Sequence, residues 1–172
     1  LDNGSVSCWG EGRYGKLGYG GSSDKSSPTQ TSSVGINRTV VALSAGGGHT
    51  CGILDNGSVS CWGAGFNGQL GNNGTANKLT PTFTNSLGIG RTAISISSGS
   101  HTCASLDNGS ISCWGYGNYG QLGNGVTSNK LTPTLTNGLG NSRTVIALSL
   151  GESHTCSILD NISIYCWGYG GY

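Results

Sequence analysis

The sequence contains few charged residues and no long apolar run. Lys and Arg number 8 and Asp and Glu 7 among 172 residues, so charged residues make up 9% and the formal net charge is +1. Such a weak charge provides no basic surface for nucleic acid or for an anionic membrane, and neither partner is expected. No segment reaches the roughly 18 consecutive apolar residues of a membrane-spanning helix, and none has helical periodicity.

Glycine is abundant instead, with 33 residues, and it belongs to a motif that recurs along the chain. Each copy has the order His-Thr-Cys, a short apolar run, Leu-Asp-Asn and Cys-Trp-Gly, usually followed by Gly-Gln-Leu-Gly. The Leu-Asp-Asn segments recur at intervals of 53, 52 and 53 residues and begin at Leu1, Leu54, Leu106 and Leu159. A period of about 50 residues indicates units that pack against neighbouring copies. We interpret the chain as one repeat array, with repeats at approximately 1–53, 54–105, 106–158 and 159–172, the last one partial.

One copy is predicted to form four short β-strands. Residues 39–44, 49–54 and 58–62 are apolar or β-branched runs, and the last two are joined by a three-residue turn, Asp55-Asn56-Gly57. Such a hairpin, with glycine in the left-handed conformation, places Cys51 directly opposite Cys61. Residues 79–84 are predicted to form an outer strand. There Pro81, which has no N–H to donate, would lie at an edge or at the strand start. Apolar groups on both hairpin faces predict a propeller blade covered on each side by a neighbour.

Seven cysteines at regular spacing indicate a disulfide framework and an extracellular or cell-surface protein. Opposite residues of a non-hydrogen-bonded pair lie about 4.5 Å apart at Cα, within disulfide range. The hairpin register therefore predicts the pairs Cys51–Cys61, Cys103–Cys113 and Cys156–Cys166. Cys8 stands at the second position of such a pair and has no partner in this sequence. Sequons that permit N-glycosylation lie at Asn3, Asn37, Asn56, Asn73, Asn108 and Asn161.

These residues also resemble a known family. The pattern His-Thr-Cys-Gly-Ile-Leu, Gly-Ser-Val-Ser-Cys-Trp-Gly and Gly-Gln-Leu-Gly is similar to the repeat of the regulator of chromosome condensation family. That repeat reads His-x-x-Ala-Leu, Gly-x-Val, Trp-Gly and Gly-Gln-Leu-Gly. The resemblance covers essentially the whole chain and implies an all-β, seven-bladed propeller, of which about three and a quarter four-stranded blades are present as a partial propeller or open arc. The added cysteines resemble secreted prokaryotic versions of the repeat rather than a nuclear protein.

The recurring polar residues are interpreted as structural. His49, His101 and His154 are expected to be buried and to bond backbone across blades, and the tryptophans to pack between blades rather than against sugars. The alternatives are a zinc site built from His49, Cys51 and Cys61 and a Cys–His nucleophile. Paired cysteines and the lack of a recurring fourth ligand or orienting carboxylate argue against both. The recurring aspartates fall at hairpin turns. We therefore expect no metal, no cofactor and no enzymatic activity.

Three classes of function remain. We favour a non-enzymatic extracellular structural or protein-interaction module, part of a cell-surface or filament-forming protein. The alternatives are a secreted protein-binding regulator or inhibitor, like the family's nucleotide-exchange factors and β-lactamase inhibitor, and a glycan-binding lectin. Specificity is expected in the loops after Trp-Gly, because they differ between repeats. The candidate binding residues are Arg13, Tyr14, Phe66, Asn67, Tyr116 and Tyr119.

Two further expectations concern the turn at residue 162 and assembly. Asp160-Asn161-Ile162 replaces Asp-Asn-Gly, and a β-branched residue tolerates positive φ poorly. This turn is predicted to change type, or to place Asn161 in the left-handed position. Because a closed ring would need about seven repeats, the array is expected to associate with further repeats of the same chain or of other subunits. Residues 1–172 alone are not expected to form a stable monomer.

Overall fold

The computed structural model describes residues 4–139 and 143–171, and its architecture is an arc of antiparallel β-sheets. The sheet orders are β1-β2, β3-β4-β5-β6, β10-β9-β8-β7 and β11-β12-β13, so the four-stranded blades are confirmed. One short 3-10 turn, Arg13–Gly15, lies between β1 and β2. The strands are β1 Ser7–Gly10, β2 Lys25–Gln30, β3 Val40–Ala45, β4 His49–Leu54, β5 Val59–Gly63, β6 Lys78–Phe83, β7 Ala93–Ser98, β8 His101–Leu106, β9 Ile111–Gly115, β10 Lys130–Leu135, β11 Val145–Leu150, β12 His154–Leu159 and β13 Ile164–Gly168.

In the blade formed by β3 to β6, the strands begin and end within one residue of the expected positions. Every residue of β4 and β5 is buried, because both strands are central and have a neighbouring blade on each face. The first strand, β3, instead alternates between half-buried and exposed residues. Pro81 lies in the outer strand β6, beside a register shift in its pairing with β5, where its missing N–H leaves no gap in a regular ladder.

Neighbouring blades pack by two unlike faces. The face that carries Cys51 and Cys61 in one blade forms a core with Trp114 of the next blade. Trp114 itself is completely buried, and it lies beneath the last glycine of the Gly-Gln-Leu-Gly segment in the preceding blade. A Cβ at Gly71 would come within 2.8 Å of the Trp114 indole nitrogen, so only glycine allows this approach. The repeat motif therefore builds the junction between blades as well as each blade.

The turn at Ile162 contradicts the sequence-based prediction. Ile162 has φ 66°, which matches the left-handed glycines Gly57 at 76° and Gly109 at 81°, so the predicted change of turn was wrong. The turn is fixed by a hydrogen bond of 2.8 Å from Ile162 N to Leu159 O and by Asn161 Oδ1, which accepts a bond of 3.2 Å from the backbone N–H two residues later. The isoleucine side chain is 80% exposed, so its burial does not offset the backbone strain of about 1–3 kcal/mol.

Within the described residues, no helix is long and apolar enough to span a membrane.

Candidate binding site at one end of the blades

The loops that follow Trp-Gly, which differ between repeats, all emerge at one end of the blades, which we call the upper face. It consists of inner loops, which join the first two strands of a blade, and rim loops, which follow Trp-Gly. The inner loops are residues 46–48, 99–100 and 151–153, and the rim loops are residues 11–15, 64–68, 116–120 and 169–171. The opposite end, the lower face, carries the hairpin turns at residues 55–57, 107–109 and 160–162 and the loops between blades.

A cavity of about 570 Å³ opens on the upper face. Its walls come from all three inner loops and from the rim-loop residues Tyr14, Phe66 and Asn67. Three of the candidate binding residues, from two different repeats, are therefore brought to one site. The inner loops pack closely at its floor, since a Cβ at Gly99 would come within 2.2 Å of the Gly151 carbonyl oxygen.

The inner loop between β7 and β8 is one residue shorter than its equivalents. Two residues separate β7 from β8, whereas three separate β3 from β4 and three separate β11 from β12. This deletion accounts for the single 52-residue interval in the sequence, and the shortened loop at residues 99–100 lies between two longer neighbours. Both residues of the shortened loop line the cavity. The 52-residue interval was visible in the sequence, but the sequence did not show which loop is shortened.

Aromatic side chains form two groups on the upper face. Tyr14 and Phe66 meet edge to face, with ring centroids 5.6 Å apart. Tyr116 contacts Tyr119 at 5.8 Å, and Tyr119 contacts Tyr169 at 4.7 Å. Tyr169 was missed by the sequence analysis, although it follows Trp-Gly at the same position as Tyr116. The candidates Tyr116 and Tyr119 thus belong to a second group, outside the cavity lining.

The rim loop of the first repeat has a conformation of its own. In the next two repeats the glutamine of Gly-Gln-Leu-Gly accepts a hydrogen bond of 2.9 Å from the backbone N–H two residues before it, Gln69 from Asn67 and Gln121 from Tyr119. The first repeat has Lys16 at this position, and an ammonium group cannot accept that bond. Tyr14 there adopts φ 64°, in the left-handed region that non-glycine residues rarely occupy.

Lys16 instead links the rim loop to an inner loop. Its Nζ donates to Glu11 in an ion pair and to the Gly47 carbonyl oxygen at 3.1 Å. Nearby, the guanidinium of Arg13 lies 4.6 Å from the centre of the Tyr14 ring. The single exchange of glutamine for lysine therefore changes both the shape and the charge of this part of the upper face.

The recurring histidines His49 and His101 form hydrogen bonds between blades. His49 Nε2 lies 2.7 Å from Thr102 Oγ1 in the next blade, and that hydroxyl donates to Gln69 O at 2.8 Å. Since the hydroxyl proton is used, His49 Nε2 is the donor. Trp114 Nε1 donates to the same Gln69 carbonyl at 3.0 Å. The expected bond to backbone across blades was thus wrong in detail, because a threonine hydroxyl lies between imidazole and carbonyl.

The same arrangement joins His101, Thr155, Gln121 and Trp167 in the following pair of blades. Burial, together with the neighbouring His101, lowers the pKa of His49 from 6.5 to about 4. Burial, together with His154, likewise lowers the pKa of His101 to about 4. Both imidazoles are therefore neutral near pH 7. His154, in the last blade, is exposed and differs from the expected buried position.

The cysteines are disulfide-bonded in each of the three described hairpins. The bonds join Cys51 to Cys61, Cys103 to Cys113 and Cys156 to Cys166, with Cα atoms 4.1–4.2 Å apart. Sulfur atoms in a disulfide are not thiolate ligands, so this arrangement does not suit the zinc alternative at His49. Cys8 is a free, half-buried thiol.

The sequons divide between the two ends. Asn56, Asn108 and Asn161 lie in the hairpin turns of the lower face, and Asn37 lies in a loop between blades on the same face. Asn73 lies between β5 and β6, and the sequon at Asn3 is outside the described residues.

Family models match most of the chain. The model described as Regulator of chromosome condensation (RCC1) repeat matches residues 3–53, 56–106 and 108–158, and a second model of the same description matches residues 40–69 and 92–121. Ultraviolet-B receptor UVR8 of Arabidopsis thaliana is 30% identical over 168 residues, which is 97% of this chain and 38% of the relative. E3 ubiquitin-protein ligase HERC2 of Homo sapiens is 30% identical over 172 residues, 99% of this chain and 4% of the relative. The chain thus spans well under half of either relative's length.

Solved structures share the fold. Human WBSCR16 superimposes with a TM-score of 0.86 at 22% identity, over 98% of this chain and 44% of that one. Prp20p of Saccharomyces cerevisiae, whose structure was described with its binding properties to Gsp1p and histones, superimposes with a TM-score of 0.82 at 19% identity, over 97% of this chain and 42% of that one. At these identities the likeness shows the fold alone.

Proposed function

Because this chain belongs to the regulator of chromosome condensation repeat family, we propose that it is a non-enzymatic interaction module that binds a protein partner on its upper face. One observation carries the proposal. The repeats share their hairpins and most of their tryptophan contacts, whereas two rim loops and three inner loops, which differ in sequence, meet around one cavity beside the exposed side chain of Phe66. Variable loops brought together at one end of a repeated scaffold are typical of a recognition surface.

The side chains of the upper face suit protein recognition. Phe66, Tyr119 and Tyr169 are each about half exposed, although their packing could have hidden them. Tyrosine and related aromatic residues are enriched among the side chains that contribute most to protein–protein binding. The description of Prp20p with Gsp1p and histones supports a protein as the partner, because that protein shares this fold. The partners of Prp20p are not carried over to this chain, because its upper-face loops have sequences of their own.

The proposed absence of catalysis rests on how the reactive residue types are used. His49, which lines the cavity, and the equivalent His101 bond threonine hydroxyls, and the recurring aspartates pair with arginines at the lower face, as Asp55 does with Arg38 at 3.1 Å. A catalytic base needs a free nitrogen or oxygen aimed at substrate. These side chains instead join blades and loops.

We further propose that the protein is extracellular or attached to the cell surface. Three disulfides in consecutive hairpins support an oxidising compartment, where such bonds persist. The exposed sequons at Asn56, Asn108 and Asn161 lie on the lower face. Glycans attached there would leave the upper face open.

The proposal is tested by selecting peptides from a random linear library on the immobilised protein. The binding of the selected peptides is then measured for the wild-type protein and for its variants. We expect peptides whose binding is lost with Phe66→Ala and with Tyr14→Ala. Ile89→Ala is the matched control, because Ile89 is a fully exposed apolar residue in a loop of the lower face. Peptides that depend on Ile89 rather than Phe66 would contradict the site. A glycan array in parallel tests the lectin alternative, which would be supported by Phe66-dependent glycan binding without any selected peptide.

A structural role in a larger assembly of repeats is the second candidate. Trp9 is 61% exposed, whereas the equivalent Trp62 and Trp114 are completely buried against the preceding blade. The exposed Ile164 and Tyr165 lie on the last described blade, in the strand whose equivalents are fully buried. Further repeats, in the same chain or in neighbouring subunits, would cover both surfaces. Electron microscopy of native material distinguishes rings from filaments.

A further inference from the structure

The cavity on the upper face is lined by one charged side chain. Among the described residues that line it, Glu152 is the one charged side chain, because His49 is neutral at pH 7. Ion pairs in the described chain engage Glu11, Asp55, Asp107 and Asp160, and Glu152 is in none of them. A carboxylate in such a concave site attracts a cation and disfavours an anion.

Glu152 is held in place by its backbone. Its carbonyl oxygen accepts hydrogen bonds from both the backbone N–H, at 3.3 Å, and the hydroxyl of Ser100 in the neighbouring inner loop. Ser100 belongs to the shortened loop, so that loop and the backbone of Glu152 are joined where both line the cavity. The backbone position of Glu152 is therefore defined before any ligand arrives, which reduces the entropy lost on binding.

Two cations of the chain itself lie beside the cavity, and each contacts a residue that lines it. The ammonium of Lys16 donates to the Gly47 carbonyl oxygen at 3.1 Å, and Gly47 lines the cavity. The guanidinium of Arg13 lies 4.6 Å from the ring centre of Tyr14, another lining residue. Aromatic rings and backbone carbonyls stabilise cations through their negative partial charge.

We propose that the cavity receives a basic side chain, lysine or arginine, that projects from the protein partner. The cation would lie against the Glu152 carboxylate, with its aliphatic stem against the rings of Tyr14 and Phe66. A cavity of about 570 Å³ is large enough for one such side chain. This inference rests on the proposed function and specifies which chemistry the upper face recognises.

The test measures dissociation constants for a peptide selected on the wild-type protein. We expect selected peptides to share one lysine or arginine. Replacing it by the uncharged analogues norleucine or citrulline, or making Glu152→Gln, should each weaken binding by about fivefold or more. The two changes together should weaken binding no more than the larger one alone, because both remove the same contact.

Asp24→Asn provides the matched control. Asp24 Oδ1 accepts a hydrogen bond from Gly12 N, and the equivalent positions in the next two repeats are Asn77 and Asn129, which accept the same bond. This variant therefore removes a carboxylate outside the cavity without disturbing its loop, and binding should be unchanged. Equal losses for Asp24→Asn and Glu152→Gln would show a general charge effect and overturn the inference.

The remaining outcomes separate the inference from the proposed function. Peptides that require Phe66 but show no basic residue, and that bind Glu152→Gln as well as wild type, would overturn the basic side chain and leave the upper face as the binding site. Failure to select any Phe66-dependent peptide would contradict both.

Discussion

The imidazole Nε2 of His49 donates a hydrogen bond of 2.7 Å to Thr102 Oγ1, across the junction between two blades. Thr102 is completely buried, and its hydroxyl donates a hydrogen bond of 2.8 Å to the Gln69 carbonyl. One hydroxyl on the second strand of a blade thus connects the second strand of the preceding blade with the segment that directly follows the rim loop of that preceding blade.

Removing this hydroxyl should destabilise the array. Thr102→Val keeps the shape of the side chain but leaves the buried imidazole N–H of His49 without its acceptor and removes one of the two donors to the Gln69 carbonyl. We expect the free energy of unfolding to fall by about 3 kcal/mol, as measured by urea denaturation. Thr102→Ser retains the hydroxyl and should lose much less. A loss for Thr102→Ser that exceeds the loss for Thr102→Val would mean that the methyl group, not the hydroxyl, matters.

Stability should decrease as the solution becomes acidic. The pKa values of His49 and His101 are about 4 in the folded protein, below the value of 6.5 expected after unfolding. The unfolded chain therefore binds more protons between these values, so stability is complete above pH 6.5 and is lost as the pH falls toward 4. Each histidine would contribute about 3 kcal/mol to this loss. Thermal denaturation should show the slope above pH 5, where carboxylates still contribute little.

Histidine substitutions identify the source of that slope. His49→Gln should reduce it by about half, because His101 keeps its share, whereas His154→Gln, which replaces an exposed imidazole in the last blade, should leave most of it in place. A melting temperature that stays constant between pH 7 and pH 4 would refute the assignment.

Relief of backbone strain should stabilise the last hairpin. Ile162 has φ 66° and an exposed side chain, so Ile162→Gly removes the steric cost without losing buried area. We expect a gain of about 1 kcal/mol, reduced by the greater flexibility of glycine in the unfolded chain. The reverse comparison is Gly109→Ala, whose Cβ would lie 2.9 Å from Thr144 Cα and should destabilise. A loss of stability in Ile162→Gly would contradict the strain.

Each hairpin disulfide should add stability through the unfolded chain. The cysteines lie 10 positions apart, and closing so short a loop is worth about 2–3 kcal/mol in the chain-entropy model. Replacing Cys103 and Cys113 together by alanine should lower the free energy of unfolding by no more than this plus the lost packing. Peptide mapping by mass spectrometry without reductant should recover the three pairs; links between repeats would contradict the assignment.

Lys16→Gln should convert the first rim loop to the conformation of the next two. The new amide oxygen can accept the Tyr14 N–H, as Gln69 accepts that of Asn67 at 2.9 Å, and Tyr14 should then return to negative φ. The indole N–H of Trp62, which has no hydrogen-bond partner in the described part of the chain, should gain the carbonyl of residue 16. A backbone coupling constant of Tyr14 measured by NMR would report the change. Gln69→Lys should do the opposite, and an unchanged Tyr14 would refute the role of Lys16.

The sequence predicted the blades well because strand periodicity and hairpin closure are local. The pairing of Cys51 with Cys61 follows from the two-residue alternation once the turn at Gly57 is known. Local preference failed at Ile162, where the strand pairing and the Asn161 side chain override the reluctance of isoleucine to adopt positive φ.

The cavity could not be predicted in the same way. Its walls come from residues far apart in sequence, such as Tyr14 and Glu152, and they meet only because consecutive blades are placed side by side. The one-residue deletion was recorded in the 52-residue interval, but the interval alone does not say which loop is shortened. The threonine between His49 and Gln69 was also hidden, because its role depends on the contact between blades.

The bonds between blades have a consequence for how such a chain changes over generations. His49 and His101 each bond the threonine of the next copy, and Trp114 and Trp167 each bond the glutamine carbonyl of the copy before, so these two junctions are built from the same parts. Duplication or loss of one whole unit leaves junctions of this kind at both sides of the change. Tandem duplication can therefore lengthen the array without inventing a new interface, while mutation remains free to diversify the loops of the upper face.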